Sequence, residues 1–210
     1  MQITSACHIR HKKIILNNSV VYSEDYGKLA DFLESAYNHF KIDYPKFYKM
    51  DRLSKLGFLA AELLLEKGNI KSYQPDQINI VLSNATSSLD TDIRYAESSK
   101  TVSSPALFVY TLPNIVVGEI CIRHKIKGEN AFFISEQFDA ELMESYVSSV
   151  MMKDGGSACE QLPNSCVAGW VEVLHEHHDV FLYLVENSKP GLEHSAEQLR
   201  RLYHTELWNN

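Results

Sequence analysis

The feature that most constrains the fold is an alternation of compact apolar segments with amphipathic helical segments along most of the chain. Apolar residues recur at helical spacing in 26–40, 51–67, 140–152 and 195–207. Compact apolar segments that predict strands are 78–82, 131–135, 166–174 and 180–185. Strands that alternate with helices of this length predict an α/β layer with a largely parallel sheet.

The last two predicted strands are joined only by the polar run His175-Glu176-His177-His178-Asp179. Parallel neighbours need a crossover of about a dozen residues, so this pair must be antiparallel. The sheet is therefore expected to be mixed. Near the start of the chain, Asn17-Asn18 interrupts apolar residues and predicts the turn of a hairpin.

Length and charge limit the classes of function. The 210 residues suit a single domain, 1–210, and the net charge of −7 offers no basic surface for a nucleic acid. No apolar run approaches the roughly 20 residues needed to span a bilayer. Residues Met1 to Asn18 are polar and basic, without the apolar stretch of a secretion signal. We therefore expect a cytoplasmic protein with no membrane span.

The cysteines suggest no redox site or metal site. They are Cys7, Cys121, Cys159 and Cys166, and no two of them form a C-x-x-C pair. Cys121 and Cys166 stand inside apolar segments, which favours buried, reduced side chains. The run from His175 to Asp179 contains zinc-type ligands, but in a hairpin turn adjacent side chains diverge, so we expect a solvated turn and no metal.

Four segments, in order along the chain, carry a family resemblance. They are Met50-Asp51-Arg52-Leu53-Ser54, the stretch from Ser104 to Asn114 with Gly118 after it, the stretch from Gly128 to Gln137, and Cys166 to Glu172. Together they resemble the amino-terminal half of the β-ketoacyl synthase family. The resemblance covers residues 50–172 and implies a thiolase-like half-fold. Such a half-fold has a five-stranded mixed sheet, covered by helices, whose last strand is antiparallel.

Position 137 departs from the family pattern. The resemblance places the catalytic cysteine there, and this chain has glutamine. An amide is no nucleophile, so acyl-enzyme chemistry is excluded at Gln137. The pair Glu136-Gln137 is similar to the pair found in chain-length factors, the inactive partners of ketosynthases. The chain also ends before the second half-domain that brings the family's two histidines.

The resemblance therefore implies a non-catalytic subunit similar to a chain-length factor, although the family itself consists of acyltransferases. The implied partners are a full-length ketosynthase and an acyl carrier protein, in polyketide, aryl-polyene or fatty-acid-like biosynthesis, with no cofactor. Two alternatives stay open. One is a stand-alone decarboxylase or thioesterase that acts on carrier-bound acyl groups. The other is a homodimeric acyl-binding module.

Candidate residues for the acyl tunnel or the interface follow from the same resemblance. Leu89, Ile93 and Ala96 would share one face if 88–98 is helical, and they would close the far end of the partner's tunnel. An ordinary core face is the alternative for these three. Further candidates are Phe132, Phe133 and Phe138. The strand at 131–135 is expected at the sheet edge, where it would pair with the partner.

Overall fold

A mixed eight-stranded sheet runs through the computed structural model, which describes residues 1–67, 70–152 and 164–205. The strands are β1 (Gln2–Arg10), β2 (Lys13–Leu16), β3 (Ser19–Ser23), β4 (Ile78–Asn84), β5 (Asn130–Ile134), β6 (Ser165–Leu174), β7 (His177–Glu186) and β8 (Leu192–Glu193). The α-helices are α1 (Leu29–His39), α2 (Arg52–Lys67), α3 (Leu89–Ser99), α4 (Pro105–Val109), α5 (Ile115–His124), α6 (Ala140–Met152) and α7 (Ala196–Thr205).

The strand order is β3-β2-β1-β7-β6-β4-β5, and β8 pairs with β1. β4 is parallel to both β5 and β6, whereas β7 is antiparallel to β6 and to β1. The expected antiparallel pair and the mixed sheet are thus confirmed. The turn between β6 and β7 contains only His175 and Glu176, because His177 already pairs with Leu174. The expectation that the whole run to Asp179 forms the link was wrong.

The expected count of five strands is too low. A five-stranded run, β5-β4-β6-β7-β1, is present with β7 antiparallel, but β2, β3 and β8 extend the sheet. β1 was missed because polar residues interrupt its apolar pattern. Two of them are buried: His8 stacks on Phe181 at 4.8 Å, and Ser5 donates to Asn17 Oδ1 at 3.0 Å. These polar side chains are buried by contacts with residues outside β1, which no local pattern reveals.

Helices cover both faces of the sheet. Alternate residues of β4 point to opposite faces: Ile80 and Leu82 pack with the α1, α2 and α5 side, and Val81 packs with α6 and α7. Coverage on both faces explains why every residue of β4 is buried. No helix in the described ranges is long and apolar enough to cross a membrane.

The hairpin turn between β2 and β3 and the pairing of β6 with β7 depend on residues with positive φ. Asn17 and Asn18 have φ of 47° and 71°, the left-handed values that a tight hairpin requires, which confirms the predicted turn. Gly169 in β6 has φ of +146°, and an added Cβ would lie 1.9 Å from the carbonyl oxygen of Phe181. Only glycine allows β7 to approach β6 at this point.

Candidate functional site

Gln137 lies in the turn that connects β5 to α6. β5 ends at Ile134, and the backbone N–H of Ser135 still donates to Asn84 O at 3.0 Å. Asp139 then caps α6 by accepting a hydrogen bond from the Leu142 N–H at 2.9 Å. Gln137 is exposed between these two anchors. The strand–turn–helix expected around position 137 is therefore present.

A surface cleft of about 600 Å³ opens beside Gln137. Its walls are the turn from Ser135 to Glu141 and three residues of α7, Arg200, Tyr203 and His204. Phe138 is buried beneath the cleft, where its ring stacks on Tyr203 with centroids 4.7 Å apart. Phe138 therefore belongs to the core on the α6 and α7 face of the sheet.

The cysteines of the described ranges supply no thiolate near neutral pH. Burial raises the pKa of Cys7 to about 12 and that of Cys121 to about 11. Burial also raises the pKa of Cys166 well above its usual value. Because the thiolate is the nucleophilic form, these three side chains are suited to packing. Cys159 lies outside the described residues.

The tunnel candidates of α3 are exposed. Leu89 is 41% and Ile93 is 43% exposed, and Ala96 is exposed on the same face of the helix. The alternative of an ordinary core face is therefore contradicted. Phe108 of α4, 60% exposed, contacts the ring of Tyr95 with centroids 5.5 Å apart, which joins the two helices.

Further exposed apolar side chains continue this surface along the chain. We define the α3–α4 surface by its large exposed apolar side chains, which are Leu89, Ile93, Val102, Phe108, Val109 and Leu112. Large exposed apolar surfaces are uncommon on monomeric proteins, so the α3–α4 surface is a candidate interface.

β5 lies at one edge of the sheet and, within the described ranges, pairs only with β4. Its two aromatic candidates point to opposite faces. Phe132 packs with the α1, α2 and α5 side, and Phe133 contacts Tyr146 of α6 with ring centroids 4.8 Å apart. Ile134, at the end of the strand, is 53% exposed. Among the described residues, no strand covers the outer edge of β5.

His178, beside the β6–β7 turn, has hydrogen-bond partners within the protein. His178 accepts from the Lys12 N–H at 3.1 Å through Nε2, and its Nδ1 lies 3.0 Å from the carbonyl oxygen of Glu176. The Glu176 side chain turns away to cap α1 at the Leu29 N–H, 2.7 Å distant. Across the described ranges, no three side chains of the metal-binding types converge on one point.

The chain is similar to known proteins in structure and matches none of them in sequence. No protein-family model and no curated protein sequence matches the chain. One similar solved structure is a ketosynthase (ApeO) in complex with its chain length factor (ApeC) from Xenorhabdus doucetiae. Its TM-score is 0.53 with 10% identity, over 89% of this chain and 79% of that chain.

A second is AntDE:AntF, a type II PKS acyl-carrier protein in complex with its ketosynthase bound to the hexaketide. Its TM-score is 0.57 with 11% identity, over 95% of this chain and 64% of that chain. The fold is thiolase-like. At these identities the likeness establishes the fold, and this chain spans less than two thirds of the second matched chain.

The motif residues of the resemblance lie around the ends of β4 and α3. Asp51 caps α2 by accepting from the Ser54 N–H at 2.9 Å, and its other oxygen accepts from the Thr91 hydroxyl at 2.6 Å. Burial is the main cause that raises the pKa of Asp51. Arg52 donates to the carbonyl oxygen of His175 at 2.9 Å and contacts Asp90 at 3.4 Å.

Sequence reasoning identified Asp51, Arg52 and Glu172 as motif residues and assigned them no role. In the structure Glu172 holds the loop between β4 and α3, whereas Asp51 and Arg52 contact Thr91 and Asp90 in the first turn of α3. This helix carries the exposed candidates Leu89 and Ile93. Gln137 lies at the same end of the sheet, because β4 and β5 are parallel and Asn84 pairs with Ile134. The motif therefore has a structural role next to the candidate site.

Proposed function

We propose that this chain is a non-catalytic subunit, similar in role to a chain-length factor, that pairs with a full-length, active ketosynthase. The pair would act on substrates held by an acyl carrier protein, in polyketide, aryl-polyene or fatty-acid-like biosynthesis. In support, two of the solved structures that share this fold are described as a ketosynthase with its chain length factor and as an acyl-carrier protein with its ketosynthase.

The observation that carries the proposal is the α3–α4 surface. It holds six of the twelve large hydrophobic side chains that are exposed in the described ranges, all between residues 89 and 112. Burial of such side chains is the main source of free energy in protein association. A partner that covers this surface would place Leu89, Ile93 and Ala96 at the interface, where they could limit the length of an acyl chain.

Gln137 supports the assignment as non-catalytic. It occupies the turn where the resemblance places the acyl-accepting cysteine, and a carboxamide cannot form the thioester. In this proposal the ketosynthase supplies the cysteine and the histidines, and the present chain supplies one wall of the acyl tunnel.

The edge of β5 offers a second contact. Because the Ser135 N–H points inward to β4, the N–H groups of Ile134 and Phe132 point outward by the alternation of strand geometry. Outward N–H groups on an edge strand can pair with a strand of another chain. Substitution of Ile134 by proline would remove one outward donor without removing a bond to β4.

The test is co-expression with the full-length ketosynthase encoded nearest to this gene, followed by molar-mass measurement during size-exclusion chromatography. We expect a 1:1 complex. Val109→Glu, on α4, should abolish it, because a carboxylate would be buried without a partner. Val20→Glu on β3 is the matched control, since Val20 is 59% and Val109 is 53% exposed.

Other results of the co-expression experiment would lead to different conclusions. A wild-type chain that stays alone in the presence of the ketosynthase contradicts the proposed partner. A stable pair of two copies of this chain favours the homodimeric binding module. Equal loss of the complex in the Val109 and Val20 variants would place the contact elsewhere.

A further inference from the structure

The loop between β4 and α3 is held by a buried carboxylate from another strand. Glu172, near the end of β6, is only 6% exposed. Its Oε2 accepts from the backbone N–H groups of Ala85 at 2.6 Å and Thr86 at 3.1 Å. Its Oε1 accepts from the Thr86 hydroxyl. One side chain thus satisfies three donors of a two-residue segment, 86 to 87 positions away in sequence.

The same loop has little conformational freedom of its own. Asn84 and Ser87 exchange two hydrogen bonds, from Asn84 Nδ2 to Ser87 O at 2.8 Å and from Ser87 N–H to Asn84 Oδ1 at 3.0 Å. Ser87 adopts φ of 56°, a left-handed conformation that is uncommon for serine. A backbone in such a conformation persists when its surroundings determine it, and Glu172 is the charged part of those surroundings.

α3 begins two residues after Ser87, so this loop determines where the helix starts, together with the contacts of Asp51 with Thr91 and of Arg52 with Asp90. Leu89 and Ile93 of the α3–α4 surface lie on its first two turns. A docking surface requires its side chains to be held in fixed positions, because a mobile surface loses entropy on binding.

We propose that Glu172 is a positioning residue, which fixes the α3–α4 surface for its partner by holding the amides of Ala85 and Thr86. Only the identity of the partner in this proposal rests on the proposed function. The local effect on the loop is independent of any partner.

A matched control exists at the opposite end of the same pair of strands. Glu186, at the end of β7, is 1% exposed and accepts from the Tyr73 hydroxyl and the Thr4 hydroxyl, each at 2.6 Å. It also pairs with the Lys189 ammonium at 2.6 Å, so Glu186, like Glu172, is a buried carboxylate with three polar donors. None of these contacts involves the β4–α3 loop.

The experiment compares three variants by hydrogen exchange with mass spectrometry. Glu172→Leu keeps the volume and removes the acceptors, and we expect exchange in residues 85–92 to accelerate roughly tenfold or more, since bonds to a charged acceptor are lost. Glu172→Gln should restore protection. Its carbonyl can accept from both N–H groups, and its amide can donate to Thr86 Oγ1, whose hydroxyl can turn to the Val173 carbonyl at 3.4 Å.

Glu186→Leu should leave exchange in residues 85–92 at the wild-type rate, although it lowers thermal stability. Unchanged exchange in Glu172→Leu, or equal acceleration in Glu186→Leu, would overturn the proposal. Affinity for the ketosynthase is measured on the same variants, and we expect loss for Glu172→Leu and retention for Glu172→Gln. If the wild-type chain binds no ketosynthase, the proposed function fails, while the exchange data still decide the role of Glu172 in the loop.

Discussion

Acidification is expected to destabilise the protein, because burial lowers the pKa of three histidines, His8, His178 and His194. The shifts of His8 and His194 are large. Burial, aided by the nearby charge of Arg10, lowers the pKa of His8 to about 3. Burial, aided by the charge of the amino terminus, lowers the pKa of His194 to about 4. His8 is 4% and His194 is 6% exposed. Within the described ranges, neither nitrogen of His194 has a hydrogen-bond partner, nor has Nδ1 of His8.

Proton linkage gives the sign and the size of the change in the free energy of unfolding with pH. Both pKa values are lower in the folded state than the value of about 6.5 in the unfolded chain, so the unfolded chain binds more protons below that pH. Stability is therefore complete above about pH 6.5 and falls as the pH drops. At about pH 5 each histidine costs about 2 kcal/mol, so the two together reduce the free energy of unfolding by about 4 kcal/mol.

Urea denaturation at about pH 7 and about pH 5 measures this loss, with a His8→Phe/His194→Phe double variant for comparison. Phenylalanine can keep the stacking of residue 8 on Phe181. The pKa values of Glu62 and Glu186 are lowered from 4.5, so their titration lies below this window. We expect the double variant to lose far less stability than the wild type. Equal losses in the two proteins would show that His8 and His194 do not cause the acid destabilisation.

Three further predictions concern the backbone, the turn and the tunnel. Gly169→Ala should cost about 3 kcal/mol or more in urea denaturation, because of backbone strain and the close Phe181 carbonyl. Gly118→Ala, whose Cβ meets no atom within 4 Å, should instead gain up to about 1 kcal/mol. Gln137→Cys should give no condensation of labelled acyl and malonyl carriers by the isolated chain; product would contradict this. In a reconstituted pair, Ala96→Trp should shorten the main product and Leu89→Ala should lengthen it, and an unchanged product distribution would end the tunnel hypothesis.

Local patterns predicted the local elements of the fold. The helix expected at 140–152 is α6, and the Asn17-Asn18 turn joins β2 to β3. The antiparallel arrangement of β6 and β7 followed from the length of their link. Each of these inferences needs only neighbours in sequence, and the structure confirms each.

The features of the fold that the sequence could not predict depend on long-range contacts. β1 is interrupted by Ser5 and His8, whose burial depends on Asn17 and Phe181. Periodicity placed Leu89 on one face of a helix, but a helical face looks the same whether it meets the core or solvent. The role of Glu172 depends on the fold bringing β6 beside β4.

Pairing with a ketosynthase through β5 and the α3–α4 surface can be tested by hydrogen exchange of β5 and of residues 89–112, before and after addition of the full-length ketosynthase. In the isolated chain, the outward amides of Phe132 and Ile134 should exchange quickly, since the edge of β5 is open. We expect strong protection of these amides and of the α3–α4 surface in the complex. Protection confined to α7 and the cleft beside Gln137, or no protection at all, would contradict this pairing.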